Sequence, residues 1–180
     1  MRRLLFVLFV FFPILVSSQE KLSFDKVINV EGVDKQSLYV GVKEWFGLTF
    51  KSAKSVIEVD DKDAALIIGN SNVDYGRSNI MYACYTGWLK FTIKIQCRDG
   101  RFRVELTNFV HEVKKGNSSG CELGMLTTAE EYGRGGLQKG YNNKVWKDLK
   151  EKAEDIANIY FARLEDVNFK NINDTNSGDW

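Results

Sequence analysis

The strictest alternation of apolar and polar positions runs from Leu89 to Thr107. Leu89, Phe91, Ile93, Ile95 and Cys97 alternate with Lys90, Thr92, Lys94 and Gln96; after Asp99-Gly100, Phe102, Val104 and Leu106 alternate with Arg103, Glu105 and Thr107. A period of two over that length predicts two strands with one buried face. Asp-Gly between them predicts an antiparallel hairpin closed by a two-residue type I′ turn, which fixes the register. Cys97 then faces Phe102, Ile95 faces Val104 and Ile93 faces Leu106, while on the other face Lys94 meets Glu105 and Thr92 meets Thr107. Opposite charges and threonine pairs across strands contribute roughly 0.2 to 1 kcal/mol each and favour this register over a one-residue slip.

Weaker patterns surround the hairpin. Val27 to Val30 is a short β-type run that ends at Glu31-Gly32, and Asp34 stands where a helix N-cap is expected. Leu38, Val42, Trp45, Phe46 and Phe50 then form one apolar stripe on a helix from about Lys35 to Phe50. Trp45 and Phe46 lie on that stripe and are packing residues. Val56 to Val59 and Ala65 to Ile68 read as two strands separated by Asp60-Asp61-Lys62-Asp63. That acidic cluster lacks the third oxygen ligand, the glycine and the distal glutamate of a calcium loop, so it reads as a solvated hairpin turn. From His111 to Gly140 the pattern dissolves into Lys, Gly, Asn, Ser and Thr, which predicts a long surface loop. A second helix starts at Asn142 or Asn143 and buries Val145, Trp146, Leu149, Ala153, Ile156, Ile159, Tyr160 and Leu164 as far as about Glu165. Asp166 to Trp180 is polar and is expected to fray. The element order is strand, helix, four strands, helix, in one domain over residues 19–165.

Residues 1–18 carry a different pattern. Met1-Arg2-Arg3 precedes an apolar run from Leu4 to Val16, and Val16-Ser17-Ser18 suits a signal peptidase. The run is interrupted by Pro13 and is shorter than the ~20 residues that span a bilayer, so a cleavable secretory leader is expected. The mature chain then begins near Gln19. With no cysteine at the leader's end for a lipid anchor, the expected location is periplasmic or secreted, without a transmembrane segment.

Charge adds an exclusion. The chain has 25 basic and 24 acidic residues, and loss of Arg2 and Arg3 with the leader leaves 23 against 24. A nucleic-acid partner is not expected, because phosphate neutralisation calls for a basic surplus. Three cysteines, Cys84, Cys97 and Cys121, allow three choices of a single bridge in an oxidising compartment and leave one thiol over. Their spacings fit no zinc pattern.

Catalytic patterns fail one by one. Gly116-Asn117-Ser118-Ser119-Gly120 matches G-x-S-x-G but lies in the polar stretch, with the only histidine, His111, upstream. His111 has no second histidine for a metal site, and the alternation places it on the polar face at the strand end. Ser23-Phe24-Asp25-Lys26 satisfies S-x-x-K without its companion motifs. Gly133-Arg134-Gly135-Gly136-Leu137-Gln138-Lys139-Gly140 resembles a phosphate loop, yet Tyr141-Asn142 stands where Lys-Ser/Thr is required. No catalytic, cofactor-binding or metal-binding residue is therefore expected. The remaining candidates are aromatic: Tyr82, Tyr85 and Trp88, near Tyr75, lie among glycine, serine and threonine, where they can contact a ligand or complete the core.

The segment Val30-Glu31-Gly32-Val33-Asp34-Lys35-Gln36-Ser37-Leu38-Tyr39, the pair Trp45-Phe46, Asp60, Gly69, and Leu89 to Ile95 leading into Arg98-Asp99-Gly100-Arg101-Phe102-Arg103 together resemble a bacterial family of exported domains. It is domain-of-unknown-function family 4468, with a fold like the TATA-binding protein, and the resemblance is strongest over residues 24–110. Arg98 replaces the family's more usual lysine. The resemblance implies an α+β, TBP-like architecture, β-α-β-β-β-β-α, with a curved antiparallel sheet and helices packed on one face. It brings no activity, cofactor or catalytic residue. Minor-groove binding by such a fold uses an apolar surface, whereas the open face here carries Lys90, Thr92, Lys94, Gln96, Arg103, Glu105 and Thr107. The expected function is a non-catalytic binding or assembly module of the bacterial envelope that contacts a protein, peptide or glycan. The alternative is a small periplasmic hydrolase acting through Cys121, Ser118 or His111.

Overall fold

The computed structural model describes residues 19–114, 120–134 and 136–169. Residues 1–18, where a leader is expected, together with Ser118, Gly135 and residues 170–180, therefore lie outside the described residues. Strand β1 spans Phe24–Asn29 and helix α1 spans Lys35–Thr49. Asp34 caps α1 as its sequence position predicts, accepting from the Gln36 and Ser37 amides at 2.9 and 3.0 Å. A one-turn helix α2, Ala53–Val56, leads into β2, Ile57–Asp61, and a tight turn returns as β3, Leu66–Tyr75. A 3-10 helix, Ile80–Tyr85, precedes β4, Gly87–Arg98, and β5, Arg101–Val113. A two-residue strand β6, Gly124–Met125, and helix α3, Lys139–Glu165, complete the order. The strand order in the antiparallel, unclosed sheet is β1-β5-β4-β3-β2, with β6 also paired to β5. The α+β arrangement of the sequence holds, with α2, the 3-10 turn and β6 added.

Helices α1 and α3 cover one face. Leu38, Val42 and Phe46 of α1 and Leu149, Ala153 and Leu164 of α3 are fully buried against Leu89, Ile93, Ile95, Val104 and Leu106 of the central strands. Trp45 and Tyr160 meet edge to face at 5.7 Å and join the helices over Phe91, whose ring lies 5.9 Å from Tyr160. Among the described residues no helix is long and apolar enough to cross a membrane.

The hairpin register is the expected one: Cys97 pairs with Phe102, Ile95 with Val104, Lys94 with Glu105, Ile93 with Leu106 and Thr92 with Thr107. The Lys94 amine lies 2.8 Å from the Glu105 carboxylate. Thr92 instead uses its hydroxyl on Asn70 of β3, at 2.7 Å. The turn differs from expectation. Gly100 has φ +73°, but Asp99 is not among the residues with positive φ, so the turn is not type I′. Long-range bonds hold it: Asp99 Oδ1 accepts the Lys35 amide at 2.8 Å, Gly100 N–H donates to Val33 O, and Val30 N–H donates to Gly100 O.

Beyond Leu106 the alternation breaks. Lys90 pairs with Val110 but Thr92 with Thr107, so Asn108 and Phe109 together oppose Phe91. Asn108 occupies the left-handed region at φ +54°, and this bulge shifts the inward positions of β5 from even to odd numbers. Phe109 and His111 are both fully buried as a result. His111 does not lie on the polar face at a strand end, because β5 continues to Val113 and the bulge has turned its face.

The expected long loop also carries structure. Leu123 and Leu126 are buried, and Leu126 N–H donates to Phe109 O at 2.8 Å. Helix α3 starts at Lys139 rather than at Asn142 or Asn143, which lie inside it: Asn142 accepts the Tyr85 hydroxyl and Asn143 the Tyr132 amide. Past α3, Phe169 packs on Phe102 at 5.1 Å between ring centres, so the segment expected to fray from Asp166 is packed as far as Phe169.

A left-handed residue other than glycine, asparagine or aspartate costs roughly 1 to 2 kcal/mol. Asn108→Val is therefore expected to lower unfolding stability by about that amount relative to Asn108→Gly, measured as a shift of the urea midpoint. Equal midpoints would show that the bulge is not held in this conformation.

Candidate functional site

Two regions bring candidate side chains together. The first surrounds His111. Leu123 N–H donates to His111 Nδ1 at 3.2 Å, so Nε2 carries the proton and donates to the Tyr85 carbonyl at 2.9 Å. Tyr75 stands edge-on to the imidazole at 5.4 Å. Burial holds the His111 pKa below its ordinary value, which keeps the ring neutral. Both nitrogens serve backbone groups and neither faces solvent. Around it, Cys84 and Cys121 are joined in a disulfide with Cα atoms 5.1 Å apart, and the Cys121 amide donates to the Cys84 carbonyl at 2.7 Å. This settles the three-way choice. Cys97 is the free thiol, buried, with its pKa pushed up to about 12.

This geometry supplies no nucleophile and base. Cys121 is committed to the bridge, and the His111 nitrogens are committed to Tyr85 and Leu123. The glycine-rich run enters α3 at Lys139, whose amine pairs with Glu131 at 2.9 Å. Among the described residues no group of three metal-ligating side chains gathers.

The second region is the sheet face opposite the helices. Trp88, Lys90, Thr92, Lys94 and Gln96 of β4 alternate out of the core, as do Arg103, Glu105 and Thr107 of β5 below the bulge and Val110 and Glu112 above it. Lys114 Nζ sits 4.8 Å from the Trp88 ring centre and pairs with Asp74 at 2.9 Å. Lys90 pairs with Glu112 beside them. The half-buried Trp88 indole is thus steadied on a polar surface.

The other aromatic candidates are placed differently. Tyr85 is 1 % exposed, with its hydroxyl 2.7 Å from Asn142 Oδ1, so it is a core residue with nothing to offer a ligand. Tyr82 is buried as well, and the Arg77 guanidinium lies 4.5 Å above its ring. Trp88 alone of the three reaches the surface. Arg98 and Arg101 were not among the candidate site residues expected from the sequence; they flank the Asp99-Gly100 turn at the far end of the same face. The hairpin register, which sets them opposite one another, was the available signal.

The comparisons define the class first. A TBP-like protein from Parabacteroides distasonis ATCC 8503 matches with a TM-score of 0.53 at 14 % identity, over 82 % of this chain and 94 % of that one. A DUF4468 family protein from Bacteroides ovatus ATCC 8483 matches with a TM-score of 0.54 at 17 % identity, over 80 % of this chain and 84 % of that one. At such identities they show the fold alone: it is TBP-like. Residues 24–112 match the family described as "Domain of unknown function (DUF4468) with TBP-like fold", and through this segment, which holds β1 to all but the last residue of β5, the chain belongs to that family. No curated protein matches the chain.

Two outcomes follow from the His111 region. Because the folded-state pKa lies below the ordinary 6.5, the unfolded chain takes up the proton first as the pH falls. The contribution to stability is complete above about 6.5 and is lost as the pH drops from there through the folded value. Urea midpoints between about pH 8 and 5.5, above the carboxylate range, should fall for the wild type and flatten in His111→Gln. Superimposable profiles would overturn the neutral clamp. Replacing Cys84 and Cys121 together by Ser opens a link across 37 residues, for which chain entropy gives about 4 kcal/mol of lost stability. A guanidinium melt of the double variant reads that loss, and an unchanged midpoint would contradict it.

Proposed function

We propose that the protein is an exported, non-catalytic binding or assembly module of the bacterial cell envelope, and that its uncovered sheet face docks an envelope protein, peptide or glycan at Trp88. The observation that carries the reading is the Trp88 indole, left at the surface of a polar face and braced by Lys114 and Asp74. A rigid aromatic with low rotamer freedom is the kind of side chain that dominates binding energy in interfaces and sugar sites. Export is supported by the apolar leader pattern of residues 1–18 and by the Cys84–Cys121 bridge, which persists in oxidising compartments. The hydrolase alternative draws no support from Cys121 or His111, both fixed in structural roles.

Affinity capture from the native envelope tests the docking face. Trp88→Ala should weaken capture by about 2 kcal/mol, roughly thirty-fold in affinity, with the thermal midpoint kept as a check on folding. Undiminished capture by a folded Trp88→Ala protein would remove the face from consideration.

A further inference from the structure

The end of the β4–β5 hairpin carries charges that the rest of the fold does not use. Arg98 and Arg101 are direct cross-strand partners, both exposed, and the alternation puts both on the open face. Like charges directly opposite one another are destabilising. Neither side chain makes an ion pair or hydrogen bond among the described residues, and two carboxylates of the same face are engaged elsewhere: Asp25 and Glu105 with Arg103 at 3.1 and 3.2 Å, and Glu105 also with Lys94. Asp99, between the two arginines in sequence, turns its Oδ1 to the Lys35 amide. A groove of about 240 Å³ lies between the arginines and is completed by Gln96, Arg103 and Val27, the last 50 % exposed.

We propose that this groove binds a phosphomonoester group. Guanidinium forks match the oxygens of phosphoryl groups. Two unpaired guanidinium charges equal the charge of a phosphomonoester dianion, whereas a carboxylate or a single phosphodiester would leave one charge over. The volume is smaller than the ~300 to 1,000 Å³ of sites that enclose a whole small molecule, so the groove takes a phosphoryl group and its immediate substituent. Gln96 adds an amide donor, and the exposed valine gives that substituent an apolar wall. The group comes from free phosphate or from the phosphorylated end of a larger molecule lying across the face. The second source deepens the binding-module reading and rests on it; the anion site itself does not.

The test titrates the full mature chain at pH 7.5 and constant ionic strength with inorganic phosphate, glucose 1-phosphate and acetate, followed by the NMR resonances of the Arg98 and Arg101 guanidinium N–H groups. Saturable shifts and a rising thermal midpoint are expected with both phosphates, and acetate should bind at least about tenfold more weakly. Arg98→Gln with Arg101→Gln should weaken phosphate by at least about tenfold while melting no lower than wild type, since a repulsion is removed. Tighter binding of the sugar phosphate assigns the group to a larger carrier, and equal binding assigns free phosphate; both support the site. Absence of saturation, equal affinity for acetate, an unchanged response in the double variant, or preferential binding of a duplex oligonucleotide through the same arginines would overturn it. Phosphate binding without Trp88-dependent capture sinks the docking reading and leaves this site standing; the reverse sinks this site alone.

Discussion

Strands of twelve and thirteen residues run side by side at the centre of the sheet, and one extra residue in the second decides what each end buries. Had β5 kept its alternation past Leu106, Asn108, Val110 and Glu112 would point beneath the helices. Burying a carboxylate without a partner is far more costly than a single left-handed residue. With the bulge at Asn108, Glu112 stays outside against Lys90, and Phe109 turns in to stack on Phe91 at 5.5 Å and meet Phe24 at 5.7 Å. The same shift carries His111 inward. The helix-covered core and the uncovered polar face both depend on it.

The inward histidine then solves a hydrogen-bonding problem. The segment from Gly120 to Leu126 forms only the two-residue β6, so much of its backbone has no ladder to join. Buried backbone groups must nevertheless be paired. The imidazole receives the Leu123 amide on one nitrogen and gives a proton to the Tyr85 carbonyl from the other. The disulfide joins the same two stretches of chain one residue before Tyr85 and two before Leu123. A neutral ring and a covalent link thus hold one junction by different means. The chemistry that a lone histidine and a cysteine invite on paper is spent on architecture.

What the sequence made legible was local. The hairpin register followed from a period of two and from cross-strand pairs that lie within a few residues of the turn, and the α1 cap followed from Asp34 alone. The turn type did not follow, because Asp99 and Gly100 take their conformation from Lys35, Val33 and Val30, far away in sequence. The inward position of His111 was hidden by a bulge carried on asparagine, with no glycine to announce it. Leu123, Leu126 and Phe169 are single apolar residues in polar stretches, and no periodicity marks them as core. Tyr85 looked like a loop aromatic because its partner, Asn142, sits on a helix 57 positions away. The choice among three cysteine pairings is likewise a matter of distance in space.

Overall neutrality is no guide to the open face, because charges on it compensate between neighbouring rows and not at its end. The row of Asp25, Glu105 and Lys94 holds two acids and one base across three strands. Arg103, one row nearer the turn, borrows both carboxylates. In the last row, Asn29, Arg101 and Arg98 include no acid. Arg101 and Glu105 are four residues apart, about 13 Å along an extended strand, beyond the ~8 Å screening length at physiological salt. The carboxylates already paired in the inner rows therefore do little to neutralise the outer one. A chain with 25 basic and 24 acidic residues can thus place two arginines without an ion-pair partner among the described residues at one end of one face. A surface that follows successive phosphates of a nucleic acid needs positive charge along its whole length. Among the described residues, the positive charge of this face that has no ion-pair partner lies in a single row, the geometry the proposed site for one terminal anionic group rests on.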